Sequence, residues 1–227
     1  EENRKVDNSI LKRSEALRDF NGVKKGDKGG FIENENNLTQ YGKCWVYDNA
    51  TVSGYAMVHN NATVSGNAKV SGNAIIHEDA KIYGDAKVSG KAIVHDKAEI
   101  YDNAEVHGDA MVYENAKIYG NAKVSGNAVV CGDAEVCGKA EVCDNAEIRG
   151  NAIVANDSDY IVFKNWWSSG RYFTWTKSNN MWKVGCFYGS GKQLINKAYM
   201  DSELSGNEYE RVVRYVDKDY PEIIKNQ

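Results

Sequence analysis

The sequence predicts an all-β solenoid, a triangular β-helix of about six coils followed by a small C-terminal α+β domain, on three observations. From Ala50 to Val154 alanine is followed two residues later by valine or isoleucine eighteen times, with nothing inserted or deleted. Polarity within each hexad alternates as in a strand, so that in Ala62-Thr63-Val64-Ser65 the Ala and Val face one way and Thr and Ser the other. The two residues closing each hexad are, Tyr55 apart, Gly, Asn, Asp, Glu or Lys, types that suit tight turns, with Gly and Asn tolerating left-handed backbone. Four strand residues and two corner residues make one side, and three sides close a coil of eighteen residues. A flat meander of such short strands would leave both sheet edges open, whereas a coil pairs each strand with those above and below, about 4.8 Å away.

Taken in order, residues 1–43 form an N-terminal cap, 44–156 the hexapeptide-repeat β-helix, and 157–227 an aromatic-rich α+β domain. In the cap, Ser9 to Arg18 reads as a weak helix or strand, Gly22, Gly26, Gly29 and Gly30 as loop, and Phe20, Phe31, Ile32 and Leu38 as a plug for the first coil. The inward set of the β-helix is nineteen Val or Ile residues spaced by six from Val46 to Val154, with alanine filling the narrow corners. Past Val154, Tyr160–Phe163, Arg171–Thr176 and Met181–Phe187 read as strands, with a hairpin turn at Ser178-Asn179-Asn180. Lys192 to Met200 and Asn207 to Val216 read as helices, and Pro221 ends the ordered chain.

The 227 residues carry a net charge of −4, which predicts no nucleic-acid surface, and no apolar run reaches the roughly 18 residues of a membrane span. Cys131, Cys137 and Cys143 are spaced by six and so fall on three different faces, beyond disulfide reach. Free thiols predict a cytoplasmic protein.

The repeat resembles the hexapeptide repeat of left-handed β-helix proteins, chiefly acyltransferases, with the glycine moved one place later. The leader segments Ala16-Leu17-Arg18-Asp19-Phe20 and Lys25-Gly26-Asp27-Lys28-Gly29-Gly30-Phe31-Ile32-Glu33, with Gly185-Cys186-Phe187-Tyr188-Gly189 near the end, resemble a narrower transferase-like family frequent in phages and prophages. The resemblance implies a left-handed helix, trimeric assembly, and a transferase label that reflects fold more than chemistry.

Residues eighteen apart must stack, which separates the three faces. The first presents Thr63, Lys81, Glu99, Lys117 and Glu135 beside a column holding Tyr83, Tyr101 and Tyr119. The second presents Thr51, Lys69, Lys87, Glu105, Lys123 and Glu141. The third presents five apolar residues, Met57, Ile75, Ile93, Met111 and Val129, beside His59, His77, His95, Tyr113 and Cys131. A stripe of that length on a soluble protein calls for a cover. Either another copy of the chain supplies it, a trimer being favoured, or the C-terminal segment folds back over it. Imidazoles packed in such a seam would hold their pKa below the free value of about 6.5.

Function divides along the same features. A non-catalytic structural or binding protein, a rigid oligomeric scaffold serving as a phage or prophage accessory factor, accounts for a ladder of histidines better than catalysis does. The alternative is an O- or N-acyltransferase using acetyl-CoA, with His59, His77 or His95 as the base. That family's acceptor sites are usually built with a loop extruded from a coil, and this repeat has none. Stacked histidines beside an acidic corner have the donor types of a zinc or nickel site, but no supporting partner is identifiable, so no metal ligand and no cofactor are assigned. In the aromatic domain, Trp166, Trp167 and Arg171 are the candidate binding residues, against the alternative that the aromatics form a core.

Overall fold

Each of the nineteen Val or Ile positions and each repeat alanine is fully enclosed, so the inward set of the repeat is the core of the molecule. The computed structural model describes residues 2–6, 9–166 and 169–218. Three parallel sheets form the sides of the prism, and within the repeat each strand pairs with those eighteen residues away: Ile75 lies between Met57 and Ile93, and Lys81 between Thr63 and Glu99. Backbone N–H groups run one way, each donating to the next coil, as in Ile75 N to Ala92 O at 2.9 Å.

The solenoid has seven parallel strands on each face, against the six coils expected from the repeat alone. The extra coil comes from outside the alanine–valine pattern. Strand Lys28–Ile32 pairs Phe31 with Thr51 and Ile32 with Val52, and strand Leu38–Gly42 pairs Leu38 with Val58. Ile32 and Leu38 therefore face inward as coil residues, not as a plug. Phe31 faces outward, under the guanidinium groups of Arg13 at 4.9 Å and Arg4 at 5.5 Å. Gly29-Gly30 precedes them because a methyl on Gly30 would sit 2.6 Å from the Ala50 carbonyl oxygen. Strands Asn3–Val6 and Ser9–Glu15 add antiparallel to this edge, and Phe20 packs edge-on to Trp45 at 5.6 Å.

Corners follow one rule. The alanine N–H donates three residues back, as in Ala50 N to Tyr47 O at 3.1 Å, and the first corner residue is left-handed. Glycine takes most of these positions. At Asp48, Glu78, Asp96, Asp102 and Glu114 the strain of about 1–2 kcal/mol is offset by a bond to the corner above. Asp48 accepts from Gly66 N at 3.0 Å, Glu78 from Asp96 N at 2.8 Å, Asp96 from Glu114 N at 3.0 Å, and Glu114 from Gly132 N at 2.6 Å.

At the C-terminal end the last coil has donors with no coil above. Three side-chain oxygens receive them, one per face: Asp157 Oδ1 takes Glu141 N at 2.8 Å, Thr174 Oγ1 takes Glu147 N at 3.0 Å, and Ser178 Oγ takes Ile153 N at 2.7 Å. These oxygens belong to the C-terminal module, an antiparallel sheet of Tyr160–Lys164, Tyr172–Thr176, Met181–Val184 and Phe187–Ser190. The run expected as one strand over Met181–Phe187 is thus two, broken where Gly185 turns left-handed. Helices α1 (Gly191–Asp201) and α2 (Glu203–Lys218) cover the sheet through Leu194, Ala198, Tyr209, Val213 and Val216. Pro221 lies outside the described residues.

Removing a cap oxygen leaves an orphan amide, so Thr174→Val and Ser178→Ala should each lower unfolding free energy by about 1–3 kcal/mol. Urea melts read this directly, and losses within error for both would show that water caps the last coil instead.

Candidate functional site

The third face brings nearly all of the expected surface residues together. Strand pairing places Met57, Ile75, Ile93, Met111 and Val129 in one column. Beside it the rings of His59, His77, His95 and Tyr113 stack at 5.0, 4.9 and 5.0 Å, tilted from one another by 10° or less. The strand spacing alone sets these distances, because side chains in register on adjacent parallel strands repeat with the backbone.

Among the described residues, the C-terminal module leaves Met57, Ile75, Ile93 and Met111 of this column uncovered. It meets the third face at the last coil, where Lys183 pairs with Glu147 at 3.3 Å and the Tyr188 hydroxyl donates to Arg149 O at 3.0 Å. Val129 and Cys131, next to that joint, are buried. Met57 and Met111 remain 42% and 38% exposed, and Ile75 and Ile93 are half-buried. Over Met57, Ile75, Ile93 and Met111, therefore, none of the described residues of the C-terminal segment supplies the cover.

The histidines are half-buried, and they are not arranged as one base in a cleft. Burial and then the flanking imidazoles of His95 and His59 push the His77 pKa below its ordinary value. Two carboxylates lie beside His95: its Nδ1 is 3.3 Å from Asp96 Oδ2 and 3.6 Å from Glu78 Oε2. The amide of Glu114 holds the Asp96 carboxyl below the usual carboxylate range.

Part of the aromatic set of the C-terminal module is core: Phe173, Trp175, Trp182 and Tyr209 are buried between the sheet and the helices. Trp166 differs. It is 74% exposed, with Lys164 Nζ 3.7 Å from its ring centre, and Arg171 is exposed at the far end of the same loop. Trp167, the third candidate there, lies outside the described residues.

The first face carries a second ladder. Tyr83, Tyr101 and Tyr119 stack at 4.9 and 5.0 Å, and the hydroxyls of Tyr83 and Tyr119 donate to Glu99 and Glu135. Lys81–Glu99 at 2.9 Å and, on the second face, Lys87–Glu105 at 2.7 Å make charged rungs between coils. Exposed pairs of this kind contribute up to about 1 kcal/mol each. They complete two polar faces on which no apolar column comparable to that of the third face stands.

Three stacked parallel sheets, hexad-spaced inward residues and side-chain columns define the class: a hexapeptide-repeat β-solenoid. A family model for the YdcK β-solenoid repeat matches residues 46–60 and 116–132, both inside the repeat. A stretch of 62 residues is 40% identical to the uncharacterized acetyltransferase YdcK of Escherichia coli (strain K12). That similarity covers 27% of this chain and 19% of the relative.

Burial and Glu99 push the Tyr83 phenol up to about 12, burial acts alike on Tyr101, and the Glu135 hydrogen bond raises Tyr119. An acid that holds its proton longer in the folded chain than in the unfolded one does not affect stability below the unfolded pKa of about 10, and opposes folding above it. Near-ultraviolet titration should therefore show phenolate forming late in the folded protein, and Tyr83→Phe should remove part of that late component. One step near pH 10 accounting for all 14 tyrosines would contradict the ladder.

Proposed function

We propose that the chain is a rigid, non-catalytic scaffold or binding protein that self-associates through its third face, with three copies favoured. Supporting this is the apolar column of Met57, Ile75, Ile93 and Met111, half-bare beside an unbroken ring stack. A continuous apolar stripe on a protein surface marks an interaction site, and a flat column at a fixed repeat suits another copy with the same repeat. The histidines stand along a flat, half-buried column, and none of them is set in a cleft of the kind in which a general base meets its substrate. From residue 44 to residue 154 no coil extrudes a loop to shape an acceptor pocket. In this reading the protein works in the cytoplasm as a phage or prophage accessory factor that holds or sequesters a host component. Trp166 and Arg171 of the C-terminal module are the surface offered to that partner.

The test is solution mass. Ile75→Glu with Ile93→Glu buries two carboxylates in the proposed seam, and the assembly should fall to the mass of a single chain in light scattering. A parent protein already at that mass would overturn self-association.

A second reading, acetyl-CoA-dependent acyl transfer to an oxygen or nitrogen acceptor, is favoured by the stretch similar to YdcK. His59, His77 and His95 at a subunit seam are its candidate bases. Ligand that binds only the folded chain raises its melting temperature by mass action. A rise with acetyl-CoA that is lost in His77→Gln would replace the scaffold reading with this one, and an unchanged melt supports the scaffold.

A further inference from the structure

The acidic corner beside the histidine column contains one position unlike the rest. Each ring in that column has two corner neighbours, the residue that follows it and the equivalent residue one coil below. His59 is followed by Asn60, with Gly42 paired below it, and His77 lies between Glu78 and Asn60. His95 is the imidazole with carboxylates at both places, Asp96 in its own coil and Glu78 in the coil below. Tyr113, one coil higher, has two acids but no nitrogen.

Carboxylates at these corners are not by themselves evidence of a ligand. Glu78, Asp96 and Glu114 each accept an amide from the corner above, and Asp48 and Asp102 do so at a different corner. What the corner bond leaves unexplained is the convergence on a ring nitrogen. His95 Nδ1, Asp96 Oδ2 and Glu78 Oε2 come from three residues in two coils, and one ligand atom from each lies within 4.8 Å of the others. In a tetrahedral site with bonds of about 2.1 Å, neighbouring ligand atoms stand about 3.4 Å apart. The two nitrogen–oxygen separations, 3.3 and 3.6 Å, match that spacing.

The donors are also held. His95 is sandwiched between His77 at 4.9 Å and Tyr113 at 5.0 Å, which fixes its ring plane. Glu78 Oε2 is oriented by Asp96 N and Asp96 Oδ2 by Glu114 N, the outer hydrogen bonds that position ligands in metal sites. Outside the three, a recess lined by Asp79, Lys97, Glu114 and Asn115 opens to solvent and leaves room for water.

We propose that Glu78, His95 and Asp96 form a binding site for a divalent metal ion of the zinc–cobalt–nickel class. Nδ1 and one oxygen from each carboxylate are the protein ligands, and water completes the coordination. Binding displaces any proton on Nδ1 to solvent. The site lies within one chain, so it does not depend on self-association.

The experiment uses the whole chain stripped with a chelator and titrated with zinc by calorimetry and with cobalt by visible absorption. One equivalent per chain and a cobalt spectrum of low coordination number are expected. Asp96→Asn, which suits the left-handed corner, should weaken binding about 10-fold or more. His95→Phe, which keeps the ring stack, should abolish the cobalt spectrum, while His59→Phe should leave it unchanged. Absence of saturable binding by the parent protein would overturn the proposal, as would equal effects of His59→Phe and His95→Phe. Repeating the titration on the Ile75→Glu, Ile93→Glu variant separates the two ideas: one equivalent bound by a single chain supports the site whatever the oligomer, and metal bound only by an assembly overturns it.

Discussion

Every part of this molecule depends on one constraint, the closure of the chain after eighteen residues so that each residue lies directly over its equivalent. Ile75 between Met57 and Ile93 is the local expression of that closure, and the 2.9 Å bond from Ile75 N to Ala92 O is the interaction that maintains it. Because most strands of the solenoid are only two residues long, no single side of a coil could stand alone. Stability is shared among neighbouring coils, and a fault in one coil is passed to the next through the same ladder.

Stacking turns a choice made once into a column. Alanine is needed at the corner because the prism narrows there, and from Ala50 to Ala152 it recurs buried at every sixth residue. A ring placed outward recurs as a stack of imidazoles on one face and of phenols on another. A left-handed corner invites glycine, or an acid that satisfies the amide above it. The same one-way ladder creates the need for a cap. Its last N–H groups have no next coil, and the C-terminal module supplies Asp157, Thr174 and Ser178 at the three places where the acceptors are missing.

Much of this was legible in the residues. Periodicity of six identified the strands, the core positions and the face to which each outward residue belongs, because stacking is a matter of counting. The first coil was not legible, since Phe31-Ile32 and Leu38 lie outside the alanine–valine pattern and join the sheets only through long-range pairing. The hairpin at Gly185 was hidden in a run that reads as one strand. The convergence at His95 was partly visible: an acidic corner beside a histidine column can be read from the sequence. That one ring nitrogen lies within 3.6 Å of two carboxylates depends on side-chain directions that spacing does not state.

In a structure this regular, sites with their own chemistry arise where two columns change composition at the same level. The third-face apolar column ends at Glu147, where Lys183 and Arg149 neutralise the carboxylate and the C-terminal module docks. The histidine column ends at Tyr113, just as the corner column passes from Asn60 through Glu78 and Asp96 to Glu114. Those two sequences overlap fully at one level, that of His95. A ladder that served packing alone would have no requirement for this offset, because any flat ring fills the space between His77 and Tyr113 equally well. The offset places one nitrogen between two acids, and a column of identical rungs is thereby given a single distinguishable position.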